Sequence, residues 1–238
     1  MAQLSLDKIL QSQGFGSRKA CRELAASGAV SIGGEEQTDW SRCFDTDGLR
    51  FAIDGEDYEF ALKLYIALNK PAGYECSRKP SHHPSVLSLL PERFLNRDVQ
   101  PVGRLDHDTT GLLLLSDDGS FIHAQSSPKK HLPKLYEATL ERPCDDGLVT
   151  ALLEGVQLID EPAPIKAFSC ERGGEKSLSI CIDQGKYHQV KRMIAAAGNH
   201  CAALRRSAIG GLRLDALGLA EGEFKLLGER ELELLAPY

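Results

Sequence analysis

Residues 103–119 read GRLDHDTTGLLLLSDDG. The four leucines 112–115 follow two threonines and Gly111, and a Ser-Asp-Asp-Gly turn closes the run. A short apolar run between turn residues predicts a buried strand. Ahead of it, Asp106 stands just after Arg104 and Leu105. A carboxylate in that place is a nucleophile, a base, a metal ligand or a helix cap. A nucleophilic one beside apolar residues requires a nearby cation. On an extended segment Arg104 and Asp106 share a face, which permits pairing without requiring it. Lys191 and Arg192 are further candidate partners. Thr109, Thr110 and Gly111 make a polar corner able to hold the carboxylate. Taken on its residues alone, the stretch is explained first as a hydrogen-bonded loop before a strand.

Outward from this strand, LKLYIALNK (62–70), KLYEATLE (134–141) and SLSICID (177–183) alternate as half-buried strands do. YHQVKRMIAAAG (187–198) places Val190, Met193, Ile194 and Ala197 on one helical face, with Gly198 as its stop. Strands and helices mix without strict βαβ alternation, so the fold class is α+β. Nearer the N-terminus, Leu6, Ile9 and Leu10 have helical spacing. Ser17 caps a second helix whose inner face is Ala20, Leu24 and Ala25, and Gly28 ends it. AVSIGGEEQT (29–38) reads as a hairpin turning at Gly33-Gly34. The acidic block 45–59 reads as a connector or an edge strand. The boundaries are therefore a small unit 1–45, a connector 46–60 and a main domain 61–238.

The chain has 238 residues, 42% hydrophobic and 26% charged, enough for a packed core. No apolar run reaches the roughly 18 residues of a membrane-spanning helix, and the N-terminus carries no secretory pattern. Seven scattered cysteines without a C-x-x-C spacing read as reduced thiols of a cytoplasmic protein. The net charge of −6 counts mildly against a nucleic-acid partner. Its distribution does not, because Gln184–Leu214 contains no acid and holds Lys186, Lys191, Arg192, Arg205, Arg206 and Arg213. Such a segment is a phosphate-binding face or a solvated surface.

Other chemistries are weaker. The Asp-Thr-Thr-Gly run lacks the second carboxylate that an aspartic protease requires. Asp106, His107 and Asp108 point to alternating faces and lack a ligand pair elsewhere, so no metal site is expected. His82-His83 reads as an exposed loop pair. Lys134 and Tyr136 share a strand face, where a tyrosine beside a cation stacks on a base or simply fills a core. GKYHQVKRM (185–193) sets Lys186, His188, Lys191 and Arg192 at a strand-to-helix junction, which favours anions. In LNKPAG (68–73) Pro71 and Gly73 shape a rigid turn and Lys70 supplies charge. Together these features suit chemistry on an RNA base.

LNKPAGYECS, GRLDHDTTGLLLLSDDG, KLYEATLE, GKYHQVKRMIAAAGNH and IGGLRLD stand in the order and spacing of the RsuA-type pseudouridine synthases. The chain closely resembles that family, which modifies 16S ribosomal RNA. Residues 6–35 resemble the S4 RNA-binding domain that precedes the catalytic domain there. The resemblance implies a mixed, largely antiparallel sheet flanked by helices. It implies Asp106 as the catalytic aspartate, Tyr136 as the tyrosine against the target uracil and a proton-transfer group, and Lys191 as the aspartate's basic partner. Arg104 would contact RNA near the vacated base position. Ser17, Arg18, Lys19 and Arg22 would lie on the RNA-facing helix. Lys70, Lys134, Lys186, His188, Arg192, Arg205 and Arg206 are the further expected RNA contacts. His107 and Asp108 become ordinary loop residues. Ser5 stands where that domain usually has an arginine, which weakens one phosphate contact. The Tyr187–Arg192 stretch favours the small-subunit branch over the large-subunit one. The implied reaction needs no cofactor or metal. The expected partner is 16S ribosomal RNA in an assembling small subunit, with no membrane partner, for a cytoplasmic monomer. The rivals are a 23S ribosomal RNA synthase and a non-catalytic RNA-binding assembly factor.

Overall fold

The computed structural model describes residues 3–126 and 131–235. Contacts divide the chain into two units, residues 1–64 with 90–99, and residues 65–89 with 100–238.

The first unit contains β1 (Gln3–Ser5), α1 (Leu6–Ser12), α2 (Arg18–Ala26), β2 (Val30–Ile32), β3 (Glu35–Glu36), β4 (Cys43–Asp45), β5 (Arg50–Ile53), β6 (Glu56–Glu59) and α3 (Glu92–Leu95). Ser17 caps α2 by accepting from the Ala20 N–H. Gly33 and Gly34, both with positive φ, turn the β2–β3 hairpin. Leu6, Leu10, Cys21, Ala25, Val30, Phe51 and Ile53 form the core. The buried face of α2 is thus Cys21 and Ala25, and Ala20 is exposed. Of the expected face Ala25 is buried and Leu24 packs against this core, while Cys21 takes the place expected of Ala20. The acidic block is not a free connector. It folds into the β5–β6 hairpin of a four-stranded sheet ordered β3-β2-β5-β6, with β6 at the edge. Asp54-Gly55, both with positive φ, make its turn. The wholly buried Asp7 accepts from Ser5 Oγ and from the Nε of Arg18 and of Arg22, the latter two at 2.9 Å.

The second unit is built on β7 (Tyr65–Lys70), β8 (Gln100–Val102), β9 (Thr110–Ser116), α4 (Gly119–Ser126), β10 (Lys134–Leu140), α5 (Asp146–Glu154), β11 (Ser169–Gly174), β12 (Ser177–Ile182), α6 (Gln189–Ala196), β13 (Cys201–Ile209), β14 (Leu212–Arg213), α7 (Leu214–Leu217), β15 (Phe224–Leu226) and α8 (Glu229–Glu233). Its nine-stranded sheet runs β11-β12-β10-β13-β9-β7-β15, with β14 beside β13 and β8 beside β9. Only β9 and β13 pair in parallel, so the sheet is mixed and largely antiparallel. The leucine run is β9, with Leu112–Leu115 all at most 1% exposed. Leu112 and Leu114 join Ala67, Val102, Ile209 and Leu212 in one core cluster. The expected alternation of β7 fails: from Ile66 to Lys70 every residue is buried, as in a strand covered on both faces.

Two constraints place the loop that carries Asp106. Lys70, at the end of β7, is 0% exposed, and its Nζ donates to the carbonyls of Pro71 (3.0 Å), His107 (3.1 Å) and Thr109 (2.8 Å). An ammonium has three donors, and all three are satisfied. Burial pushes its pKa down, against the opposing pull of Cys76, Asp108 and Asp106. Lys70 therefore has no face to offer an RNA phosphate and is a structural clamp. The second constraint is Gly111, at φ +99°, opposite Arg206 across the parallel pair. A Cβ there would lie 2.3 Å from the Arg206 carbonyl oxygen.

Gly111→Ala is expected to destabilise the protein by about 3 kcal/mol in thermal or denaturant unfolding, from backbone strain and the forced separation of β9 from β13. Lys70→Met keeps the side-chain length but leaves three carbonyls without their donor. It should cost about 2 kcal/mol, less than the sum of three lost bonds because a buried charge also disappears. Amide exchange in that variant should quicken first at Gly73 and Thr109. Unchanged exchange there would show that the clamp does not hold the loop.

Candidate active site

A cleft of about 440 Å³ opens in the second unit, lined by residues of the 102–109 loop, β10, β13, the end of β12 and the start of α6. Its size suits a small-molecule-sized group. Leu105, Leu114, Val190, Leu204 and Ile209 give it apolar walls.

Asp106 reaches the cleft from the loop between β8 and β9. Its backbone carbonyl accepts from the Thr109 N–H at 3.1 Å, and the His107 carbonyl accepts from the Gly73 N–H at 2.7 Å. These bonds and the Lys70 clamp hold a segment that has no secondary structure of its own. Two groups from the α6 junction meet the carboxylate. Lys191 Nζ lies 3.3 Å from Oδ2 and His188 Nε2 lies 3.2 Å from Oδ1. His188 adopts a left-handed backbone, φ +46°, at the N-cap of α6. That conformation is costly for a non-glycine residue and recurs at functional sites. It leaves the imidazole on Asp106, with the Tyr187 ring stacked on it at 3.9 Å.

Lys191 is shared. Its ammonium lies 2.7 and 2.8 Å from the two oxygens of Asp108, nearer than to Asp106. Burial alone would lower the Lys191 pKa, but Asp108 and Asp106 outweigh it and hold the ammonium above its ordinary value. Asp108 is held below the usual carboxylate range by Lys191, despite an opposing burial effect. Asp108 is therefore not an ordinary loop residue. Its nearness to Asp106 in sequence was the available signal, since the turn from Asp106 to Thr109 brings both carboxylates to one cation.

Across the cleft, Lys134 and Tyr136 project from one face of β10, and Arg206 stands opposite Tyr136 on β13. Tyr136 is 7% exposed, and its hydroxyl lies 3.5 Å from Arg206 Nη1. Arg206 is 3% exposed and donates from Nε to the Leu112 carbonyl at 2.8 Å. It is a buried group of the cleft and not the surface phosphate contact expected of it, because β13 is an interior strand. Its Nη2 has no partner among the described residues. Lys134 donates to the Leu132 carbonyl at 2.9 Å. Burial first, then the Arg206 guanidinium, push its pKa down to about 8.

Of the remaining cations of the basic segment, Arg213 meets the nearby Asp215 at 3.2 Å and three others meet acids from elsewhere in the chain. Lys186 pairs with Glu161, Arg192 with Asp160 at 3.2 Å and Arg205 with Glu137 at 3.4 Å. Arg104 is exposed, lines the cleft and has no hydrogen bond or ion pair among the described residues. On α2, Arg18 and Arg22 share Asp7, and Lys19 lies 3.8 Å from Glu23. Among the described residues no three His, Cys, Asp or Glu side chains gather as a metal cluster, and no helix is long and apolar enough to cross a membrane.

Residues 64–196 match the family model for RNA pseudouridylate synthases. The chain is 37% identical over 235 residues to an uncharacterized RNA pseudouridine synthase of Bacillus subtilis (strain 168), covering 98% of each chain. It is 45% identical over 168 residues to ribosomal small subunit pseudouridine synthase A of Escherichia coli (strain K12), covering 71% of this chain and 72% of that one. Identity to the Yersinia pestis protein of the same name is 38% over 232 residues, 96% and 97% of the two chains. A solved crystal structure of a pseudouridylate synthase matches with TM-score 0.68 and 35% identity, over 98% of this chain and 100% of that one. A matched segment that contains Asp106, Tyr136 and Lys191, with relatives aligned along almost the whole chain, places this protein in the RNA pseudouridylate synthase family.

Proposed function

We propose that the protein isomerises one uridine of 16S ribosomal RNA to pseudouridine. The observation that carries this reading is Asp106, held in an apolar-walled cleft that Tyr136 also lines and bracketed by Lys191 and His188. The choice of 16S follows the small-subunit names of the Escherichia coli and Yersinia pestis relatives.

In this reading the uridine leaves its stack, at a cost of a few kcal/mol, and enters the cleft. Asp106 is the nucleophile, at the sugar C1′ or the uracil C6. The N1–C1′ bond breaks, the base turns, C5 bonds to C1′, Asp106 leaves again as a free carboxylate, the C5 proton departs with help from Tyr136, and N1 takes up a proton. Lys191 and His188 orient the carboxylate, and the apolar walls strengthen their fields. Atoms and electrons balance within the one nucleotide, so the scheme calls on neither cofactor nor metal.

Arg104 is the expected RNA contact beside the vacated base position, supported by its exposure at the cleft and by its having no hydrogen-bond or ion-pair partner among the described residues. The first unit acts as an S4-like RNA-binding domain through α2, where Ser17, Arg18, Lys19 and Arg22 lie. Arg18 and Arg22 each use Nε on Asp7, and side chains 50% and 38% exposed remain available to phosphates. Seven free cysteines support a reducing, cytoplasmic setting.

Purified protein should convert a uridine in 16S RNA or assembling small subunits and leave 23S RNA unmodified. Asp106→Asn should fold and bind the RNA yet lose turnover by at least about 10³-fold. Turnover in that variant would remove Asp106 as nucleophile, and modification confined to 23S RNA would overturn the small-subunit assignment. Tyr136→Phe should keep substrate binding and slow product formation about 100-fold. Equal rates would leave the ring with stacking alone.

A further inference from the structure

We infer that Lys134 and Arg206 form an oxyanion-binding floor in the cleft, donating hydrogen bonds to the carbonyl oxygens of the uracil as it detaches from the sugar. The inference rests on the proposed uridine isomerisation and names the groups that carry its charge.

The chemistry creates an anion at the base by either route. Attack of Asp106 at C1′ expels N1 with the bonding electron pair, and the resulting uracil anion spreads its charge to O2 and O4. Attack at C6 drives a pair through C5 onto O4. In both cases the ring carbonyls gain negative charge before the C5–C1′ bond forms. Forming that bond consumes the pair. On the C1′ route it expels the Asp106 carboxylate and C5 then loses its proton, and on the C6 route the Asp106–C6 bond breaks as loss of the C5 proton restores the C5–C6 double bond. N1 ends protonated. Hydrogen bonds aimed at the carbonyls lower the barrier most where water is scarce and the donors are already fixed.

The cleft supplies such donors on the side formed by β10 and β13. Arg206 is anchored by Nε on the Leu112 carbonyl, which leaves the guanidinium little freedom. Its buried Nη2 lacks a partner among the described residues. A buried, unpaired cationic donor is costly in a resting protein and is explained by a ligand that completes it. Lys134 lies two residues from Tyr136 on the same strand face and uses one of its three donors on the Leu132 carbonyl. The two cations flank the tyrosine proposed to contact the ring. Acids oppose them only weakly: Asp183 at the end of β12 is paired with His131 at 2.8 Å. Lys191 and His188 are engaged by aspartates, which leaves Lys134 and Arg206 as the basic pair beside Tyr136.

The arrangement has a pH signature. The groups facing Lys134 are Arg206 on β13, Tyr136 on its own strand, and Asp183 and Cys181 on β12, with His131 on Asp183. Burial and Arg206 lower its pKa to about 8. The ammonium is therefore present below that pH and lost as pH rises through it. A donor role requires the ammonium, so single-turnover rates should fall above about pH 8. A base role for neutral Lys134 would make them rise through the same range.

The test is single-turnover pseudouridine formation from pH 6.5 to 9.5, on RNA that the wild-type enzyme converts, with wild type, Lys134→Gln and Lys134→Arg. Wild-type conversion establishes the underlying isomerisation, and its absence would count against that reading instead. The expected result is a wild-type rate that declines above about pH 8. Lys134→Gln should be about 100-fold slower at pH 7 with RNA affinity changed less than threefold. Lys134→Arg should recover most of the rate and lose the alkaline decline. A slow Lys134→Gln with a fully rescued, decline-free Lys134→Arg excludes a merely structural lesion. A rate that rises with pH, an inactive Lys134→Arg, or a Lys134→Gln as fast as wild type would each overturn the inference.

Discussion

A fully buried ammonium holds the site together. An unpaired cation in an apolar interior is prohibitively costly, so Lys70 must find acceptors, and it finds three backbone carbonyls. Two of them, His107 and Thr109, belong to the loop that carries Asp106. The requirement to satisfy one charge thereby fixes a segment with no ladder of its own. The missing Cβ of Gly111 plays the complementary part. It lets β9 approach the backbone of β13, which sets Arg206 just beyond the end of the same loop. Asp106 and Arg206 line one cleft from the two sides of this corner.

Positive charge in an acidic protein is concentrated by folding. Besides Arg104 and Lys186, the basic side chains that line the cleft form two sets. Lys191 and His188 meet the carboxylate, and Lys134 and Arg206 lie across from it beside Tyr136. Outside it, Arg192 and Arg205 are tied to Asp160 and Glu137 in partly exposed pairs. Such pairs are worth about 0–1 kcal/mol, so a phosphate can replace the acid at small cost. The buried cations have no such freedom, and their positions are set by backbone carbonyls.

Much of this frame was legible in the chain. Leu112–Leu115, the Ser17 cap, the Gly33-Gly34 turn and the α6 stripe are local patterns, and each forms as its residues dictate. The long-range electrostatics were not. A lysine after an apolar strand reads as exposed, and nothing local says that the carbonyls of residues 107 and 109 will surround Lys70. Asp108 and Lys191 are 83 residues apart, so their closeness emerges only with the fold. The β5–β6 hairpin was hidden for a different reason. Six acids between 45 and 59 masked Phe51, Ile53 and Tyr58, although Asp54-Gly55 is a strong hairpin signal. Arg206 was misplaced because a basic segment suggests a surface, whereas its residues 204 and 206–209 are buried in a central strand.

The most direct measurement is a chemical pseudouridine map of ribosomal RNA from cells that have the protein, lack it, or carry only its Asp106→Asn form. The account predicts one 16S pseudouridine that vanishes in the deletion, returns with wild type and does not return with Asp106→Asn. An unchanged 16S map, or a site restored by the Asp106→Asn protein, would contradict it.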